Sequence, residues 1–182
     1  MRLAVIGRSH VGVVSGAGFA EYGNDVMCVG LDAKKVANLQ AGKLHIDEPG
    51  LDAMIEQNVA AGRIQFTTDL EAAVKHAEVV FLTLTIHPVK NGSPNLTTLF
   101  NVADRIGKKL DGHKVIATRS TVPVGTTDRL AVRIGACAGP DARFGVASNP
   151  AFLKEGYAVN DFTHPDRVVI GTNDERSAEV LR

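Results

Sequence analysis

Short apolar runs recur along this chain of 182 residues at Leu3–Ile6, Asp25–Val29, Val79–Leu84, Lys114–Thr118, Phe144–Ala147 and Val168–Ile170. Most are rich in Val and Ile and lack strict apolar/polar alternation, the pattern of strands buried on both faces. Between them, apolar positions repeat at helical spacing over Val11–Tyr22, Ala33–Ala41, Leu51–Ala60, Leu70–His76, Leu96–Leu110 and Thr126–Ala136. Gly23-Asn24, Gly42, Gly62, Asn91-Gly92, Asp111-Gly112 and Gly139-Pro140 fall between these segments, where turns belong. Strand and helix alternate, which predicts a doubly wound α/β fold with a mostly parallel sheet and helices on both faces.

The first apolar run enters Gly7-Arg8-Ser9-His10-Val11-Gly12 and then a helix. That is the order of a Rossmann βα turn. Its first glycine makes the bend, its second lets the backbone approach a pyrophosphate, and its third lets helix pack on strand. Here the second glycine is Ser9, so a Cβ stands at the point of closest approach and predicts a steric penalty. The second strand ends at Gly30, where an aspartate normally accepts hydrogen bonds from ribose hydroxyls; Asp32 follows two residues later.

Composition narrows the partners. The length and a 45% hydrophobic content allow one well-packed core without disulfides or metals. Twenty basic side chains balance twenty acidic ones, so no long-range field recommends a nucleic acid or an anionic membrane. The two cysteines, Cys28 and Cys137, form no CxxC pair and fit buried thiols in a reducing, cytoplasmic setting. The apolar runs fall far short of a membrane span, and the histidines show no HxxxH or HxH pairing beside an acid, so neither membrane nor metal is expected.

Further segments are more specific. Glu48-Pro49-Gly50-Leu51 precedes a helix, Arg119-Ser120-Thr121-Val122-Pro123-Val124-Gly125-Thr126 follows a strand, and Ser148-Asn149-Pro150-Ala151-Phe152-Leu153-Lys154-Glu155-Gly156 follows another. Together with His164-Pro165-Asp166-Arg167-Val168-Val169-Ile170-Gly171, they make the chain resemble the amino-terminal domain of the UDP-glucose/GDP-mannose dehydrogenase family from end to end. The resemblance implies a Rossmann-like NAD domain over residues 1–173, with 174–182 beginning a connecting helix. It also implies oxidation of a nucleotide-sugar C6 alcohol with NAD. The family's nucleophilic cysteine and sugar-binding domain have no counterpart here, so a nucleotide sugar is expected to be used only with a second domain or chain.

By the same likeness the turn residues Gly7, Ser9, His10, Val11 and Gly12 bind the cofactor, with Asp32 and Lys35 toward the adenosine ribose. Thr121 sits by the reacting centre and Glu155 faces nicotinamide or substrate. His10 is read as packing ahead of donating to an anion. Glu48 is read equally as a ligand or as a residue orienting the next helix. Four positions depart from the family pattern: Ser9, Gly30, Ile86-His87 in place of Thr-Pro, and Ala151 in place of the glutamate of Pro-Glu-Phe-Leu. Each lost charge-assisted contact is worth about 1.5–3 kcal/mol, which predicts NAD affinity of roughly hundreds of micromolar or weaker. Loss of an acid at Gly30, with Arg8, Lys34 and Lys35 nearby, leaves NADP as the minor alternative. A scaffold that has abandoned the cofactor for a protein partner or another nucleotide is the rival reading, and self-association remains open.

Overall fold

The structure is a computed structural model that describes residues 1–182 apart from Arg8 and His45. Six parallel strands form one sheet in the order β3-β2-β1-β4-β5-β6. They are β1 (Arg2–Ile6), β2 (Asp25–Val29), β3 (Ile64–Thr67), β4 (Val79–Leu82), β5 (His113–Thr118) and β6 (Arg143–Ser148). The helices are α1 (His10–Glu21), α2 (Ala33–Gln40), α3 (Leu51–Ala60), α4 (Leu70–His76), α5 (Thr97–Gly107), α6 (Thr126–Cys137), α7 (Ala158–Thr163) and α8 (Glu175–Leu181). This is the Rossmann-like α/β arrangement that the alternating pattern predicts.

Why the strands lack polar alternation is visible in their packing. Leu3 and Val5 of β1 join a core with Val13, Ala17 and Val26, while Ala4 and Ile6 point the other way into a core with Val74, Leu99 and Ile134. Both faces exclude water, so neither set of positions has reason to be polar. Cys28 lies in the first core as a free thiol, and burial pushes its pKa up to about 12.

Three expectations change. Ile64–Thr67 forms the edge strand β3, although its Ile-Gln-Phe-Thr sequence alternates buried and exposed positions and so escapes a search for continuous apolar runs. Val168–Ile170 is not a strand: Val168 and Val169 are exposed, and only Gly171 forms an antiparallel bridge to Ser148. Helix α7 was not anticipated either, being a single short segment after an irregular loop. Helix α8 forms where a helix was expected, with Asp174 capping it through the Ser177 amide, and it packs Val180 and Leu181 against the first core.

The sheet order places β1 beside β4, and the chain leaves these strands in opposite directions across the sheet. A crevice opens at the carboxyl ends of strands at such a switch point, and ligands of open α/β sheets bind there.

Candidate functional site

A cleft of about 510 Å³ lies at that switch point. The turn after β1 supplies Ser9, His10 and Val11; the end of β4 supplies Thr83 to Ile86; the segment after β5 supplies Arg119 to Thr121; and the segment after β6 supplies Ala151, Leu153 and Glu155.

The turn is held by close packing. Gly7 has φ +133°, and a Cβ built there would lie 2.5 Å from the Thr83 carbonyl oxygen. A Cβ on Gly12 would run into the Gly7 carbonyl. Neither position accepts a side chain. Ser9 is different: its φ −67° and ψ 168° are open to any L residue. Its hydroxyl donates to the Thr83 carbonyl at 2.8 Å and accepts from the Gly12 amide at 3.3 Å, making Ser9 the N-cap of α1. The serine is therefore accommodated by the backbone and employed in the turn.

The amides of His10 and Val11 have no acceptor within the helix, since first-turn N–H groups lie beyond the ladder. The first turn of α1 carries no acidic side chain. Two residues at the positive end of a twelve-residue helix, both lining the cleft and with amides that lack an intrahelical acceptor, form an arrangement that favours an anion.

Across the cleft, Arg119 leaves β5 and donates through Nη1 to Asn149 Oδ1 at 2.6 Å. Its guanidinium lies 5.6–5.9 Å from the ring centroids of Phe19, Phe81 and Phe162, and burial pulls its pKa down to about 10, still charged at neutral pH. It also borders a second cavity of about 560 Å³ behind those rings. Ser120 Oγ donates to the Leu84 carbonyl at 2.7 Å and ties the ends of β4 and β5 together. Thr121 is exposed beside it. Glu155, also exposed, is the one carboxylate among the described residues that line the cleft.

Glu48 lies deeper. Its side chain is fully buried and accepts three hydrogen bonds: His10 Nε2 at 2.7 Å, the Gly156 amide at 2.8 Å and the Ala158 amide at 2.6 Å. Burial acts to raise its pKa, but the bonds from His10, Gly156 and Ala158 prevail and hold the carboxyl below its ordinary value. His10 thus packs between the turn and this carboxylate.

Of the residues expected at a site, Ser9, His10, Val11, Thr121 and Glu155 come together in the cleft. Gly7 and Gly12 do not line it; they pack within the turn against Thr83 and each other. Asp32 does not line it; its carboxylate accepts from the Lys34 and Lys35 amides as the N-cap of α2. Lys35 likewise lies at the start of α2 and outside the cleft lining. Phe152 is 55% exposed and borders the second cavity. Arg8 lies outside the described residues. The reading of single residues passed over Arg119 and Thr83, although Arg119 opens the segment Arg119–Thr126 that had been singled out.

The family model of the UDP-glucose/GDP-mannose dehydrogenase family, NAD binding domain, matches residues 1–182. The chain belongs to this family. It is 44% identical to the UDP-glucose 6-dehydrogenase of Rhizobium meliloti and 43% identical to that of Pseudomonas aeruginosa, covering all of this chain and 42% and 41% of theirs. A UDP-glucose dehydrogenase from the archaeon Pyrobaculum islandicum superposes with a TM-score of 0.94 at 38% identity, over 98% of this chain and 42% of that one. A ternary complex of GDP-mannose dehydrogenase from Pseudomonas aeruginosa gives 0.93 at 32% identity, over all of this chain and 43% of its own. The chain thus spans about two fifths of the length of these dehydrogenases and corresponds to their NAD-binding part. Among the described residues no helix is long and apolar enough to cross a membrane.

Proposed function

We propose that the cleft takes NAD⁺ and that the chain is the cofactor-binding part of a nucleotide-sugar 6-dehydrogenase, completed by a sugar-binding domain or chain that brings the nucleophile. The observation carrying this reading is the first turn of α1, whose residues His10 and Val11 line the cleft at the switch point of the sheet with amides that have no acceptor within the helix. The residues present fit the pyrophosphate there, because Ser9 keeps an ordinary backbone conformation and turns its hydroxyl to Thr83 and Gly12. When bound, NAD⁺ supplies the hydride acceptor. Thr121 borders the reacting end with a hydroxyl, and Glu155 is the carboxylate available to orient the substrate or hold its proton.

The ribose end is less well served. Gly30 offers no carboxylate, and Asp32 is engaged at the start of α2. A 2′-phosphate would meet that carboxylate, which favours NAD over NADP. Loss of acids at Gly30 and Ala151 also supports the second reading, a scaffold that no longer turns over.

Calorimetric titration with NAD⁺, NADH and NADPH separates these readings. NAD(H) is expected at roughly hundreds of micromolar, NADPH weaker, and Gly30→Asp about tenfold tighter for NAD(H), as one charge-assisted hydrogen bond provides. Failure of both the wild type and Gly30→Asp to bind any dinucleotide overturns the cofactor reading and leaves the scaffold.

A further inference from the structure

Glu48 is remote from both glycine turn and reacting loop in sequence, yet it touches both. His10, the first residue of α1, donates to one of its oxygens, as does Gly156; Ala158, the first residue of α7, donates to the other. These partners lie on opposite walls of the cleft. On one side stand Ser9, His10 and Val11; on the other Ala151, Leu153 and Glu155. The carboxylate has no exposed side-chain surface, so water cannot replace a lost partner. Gly156, with φ +84°, turns its amide inward immediately after Glu155.

We infer that Glu48 is a positioning residue that fixes the loop carrying Glu155 against the dinucleotide turn, so that occupancy of the turn is felt at the reacting wall through His10, Glu48, Gly156 and Ala158. Its role at the cofactor rests on the reading of the cleft as the NAD⁺ site. The carboxylate suits this task because two oxygens can accept all three bonds simultaneously. Glutamine cannot do so, since its amide nitrogen would face a backbone N–H on whichever side it is placed. Histidine and glutamine place a donor at comparable reach, so His10→Gln keeps a link to Glu48 and His10→Phe removes it.

The test uses ¹⁵N relaxation and amide shifts of the wild type, Glu48→Gln, His10→Gln and His10→Phe, each titrated with NAD⁺. In Glu48→Gln the order parameters of residues 151–157 are expected to fall from about 0.85 toward 0.6, while those of β1, β4 and β5 hold. NAD⁺ affinity is expected to drop about tenfold. Added NAD⁺ should shift the Gly156 and Ala158 amides in the wild type and in His10→Gln but not in His10→Phe, a pattern that mere stabilisation of the fold would not produce. An ordered 151–157 loop in Glu48→Gln overturns the inference, and so does a loosened loop with undiminished NAD⁺ affinity. If the wild type takes up no NAD⁺, the cofactor reading fails, and loop order alone decides the clamp: loosening in Glu48→Gln upholds it and unchanged order overturns it.

Discussion

The turn after β1 and the loop after β6 face each other across the same cleft and are held by different forces. The turn is fixed by contact: Gly7 and Gly12 lie so close to Thr83 and to each other that no Cβ fits. The loop has no regular structure from Ala151 to Leu153, and its side chains at Phe152, Lys154, Glu155 and Tyr157 are exposed. It is held by hydrogen bonds from its backbone to two acids, Gly156 and Ala158 to Glu48 and Lys154 to Asp161. A wall made by contact tolerates no added atom but is indifferent to pH. A wall made by hydrogen bonds tolerates many side chains but depends on a few acceptors. The four departures from the family pattern include Ser9 and Ala151, and neither stands at a position where packing forbids a change.

The largest effect should come from breaking the contact wall. Gly12→Ala drives a methyl onto the Gly7 carbonyl and within 2.7 Å of Thr83 Oγ1, atoms that belong to strand ends and cannot move aside cheaply. A loss of about 2–3 kcal/mol is expected in urea unfolding, the upper part of the range for overpacking a dense core with a backbone shift. A loss below about 1 kcal/mol would mean that the turn gives way and that contact does not fix it.

The second effect sharpens the contrast through pH. Glu48 is held below its ordinary pKa in the folded chain, so its ionised form stabilises the fold above the unfolded-state value and ceases to do so as pH falls through the folded-state value. Glu48→Gln should therefore lose about 2 kcal/mol at pH 7, as expected for a buried charge-assisted acceptor. That deficit should narrow as pH falls below the unfolded-state value and through the lower folded-state value, as the wild-type carboxylate protonates. Urea midpoints across this range provide the measurement, and a deficit independent of pH would show that charge contributes nothing to the clamp. Asp174, lowered by its bonds from Ser177, titrates in both proteins and cancels in the difference.

The same contrast explains what the sequence made legible. Strands with two buried faces announce themselves as apolar runs, and Gly7 and Gly12 mark a turn that only glycine can make, so fold, switch point and one wall of the cleft were open to inference. Edge strand β3, with one face to solvent, was less distinct than the central strands. The clamp was harder still. Glu48 precedes a Pro-Gly turn and could serve the next helix, and nothing local tells that its side chain reaches Gly156 and Ala158, 108 and 110 positions away. Arg119 was obscured for the same reason: the three rings that surround it come from α1, β4 and α7.

The smallest expected effect lies at Ser9, where the two kinds of restraint meet. Its hydroxyl caps α1 and reaches Thr83, so Ser9→Ala should cost about 1 kcal/mol, whereas Ser9→Gly should cost a few tenths if the cap is all that is lost. For NAD⁺ the two variants separate the accounts. If the Cβ stands in the way of the pyrophosphate, Ser9→Gly binds more tightly than the wild type and Ser9→Ala does not. If the hydroxyl's work in holding the turn matters more, both variants bind no better. The hydroxyl is turned onto Thr83 and Gly12, and φ at Ser9 is ordinary, so both are expected within about threefold of the wild type, less than one charge-assisted hydrogen bond provides. A tenfold gain in Ser9→Gly alone would restore the steric account and place the main cost of this turn on a single carbon atom.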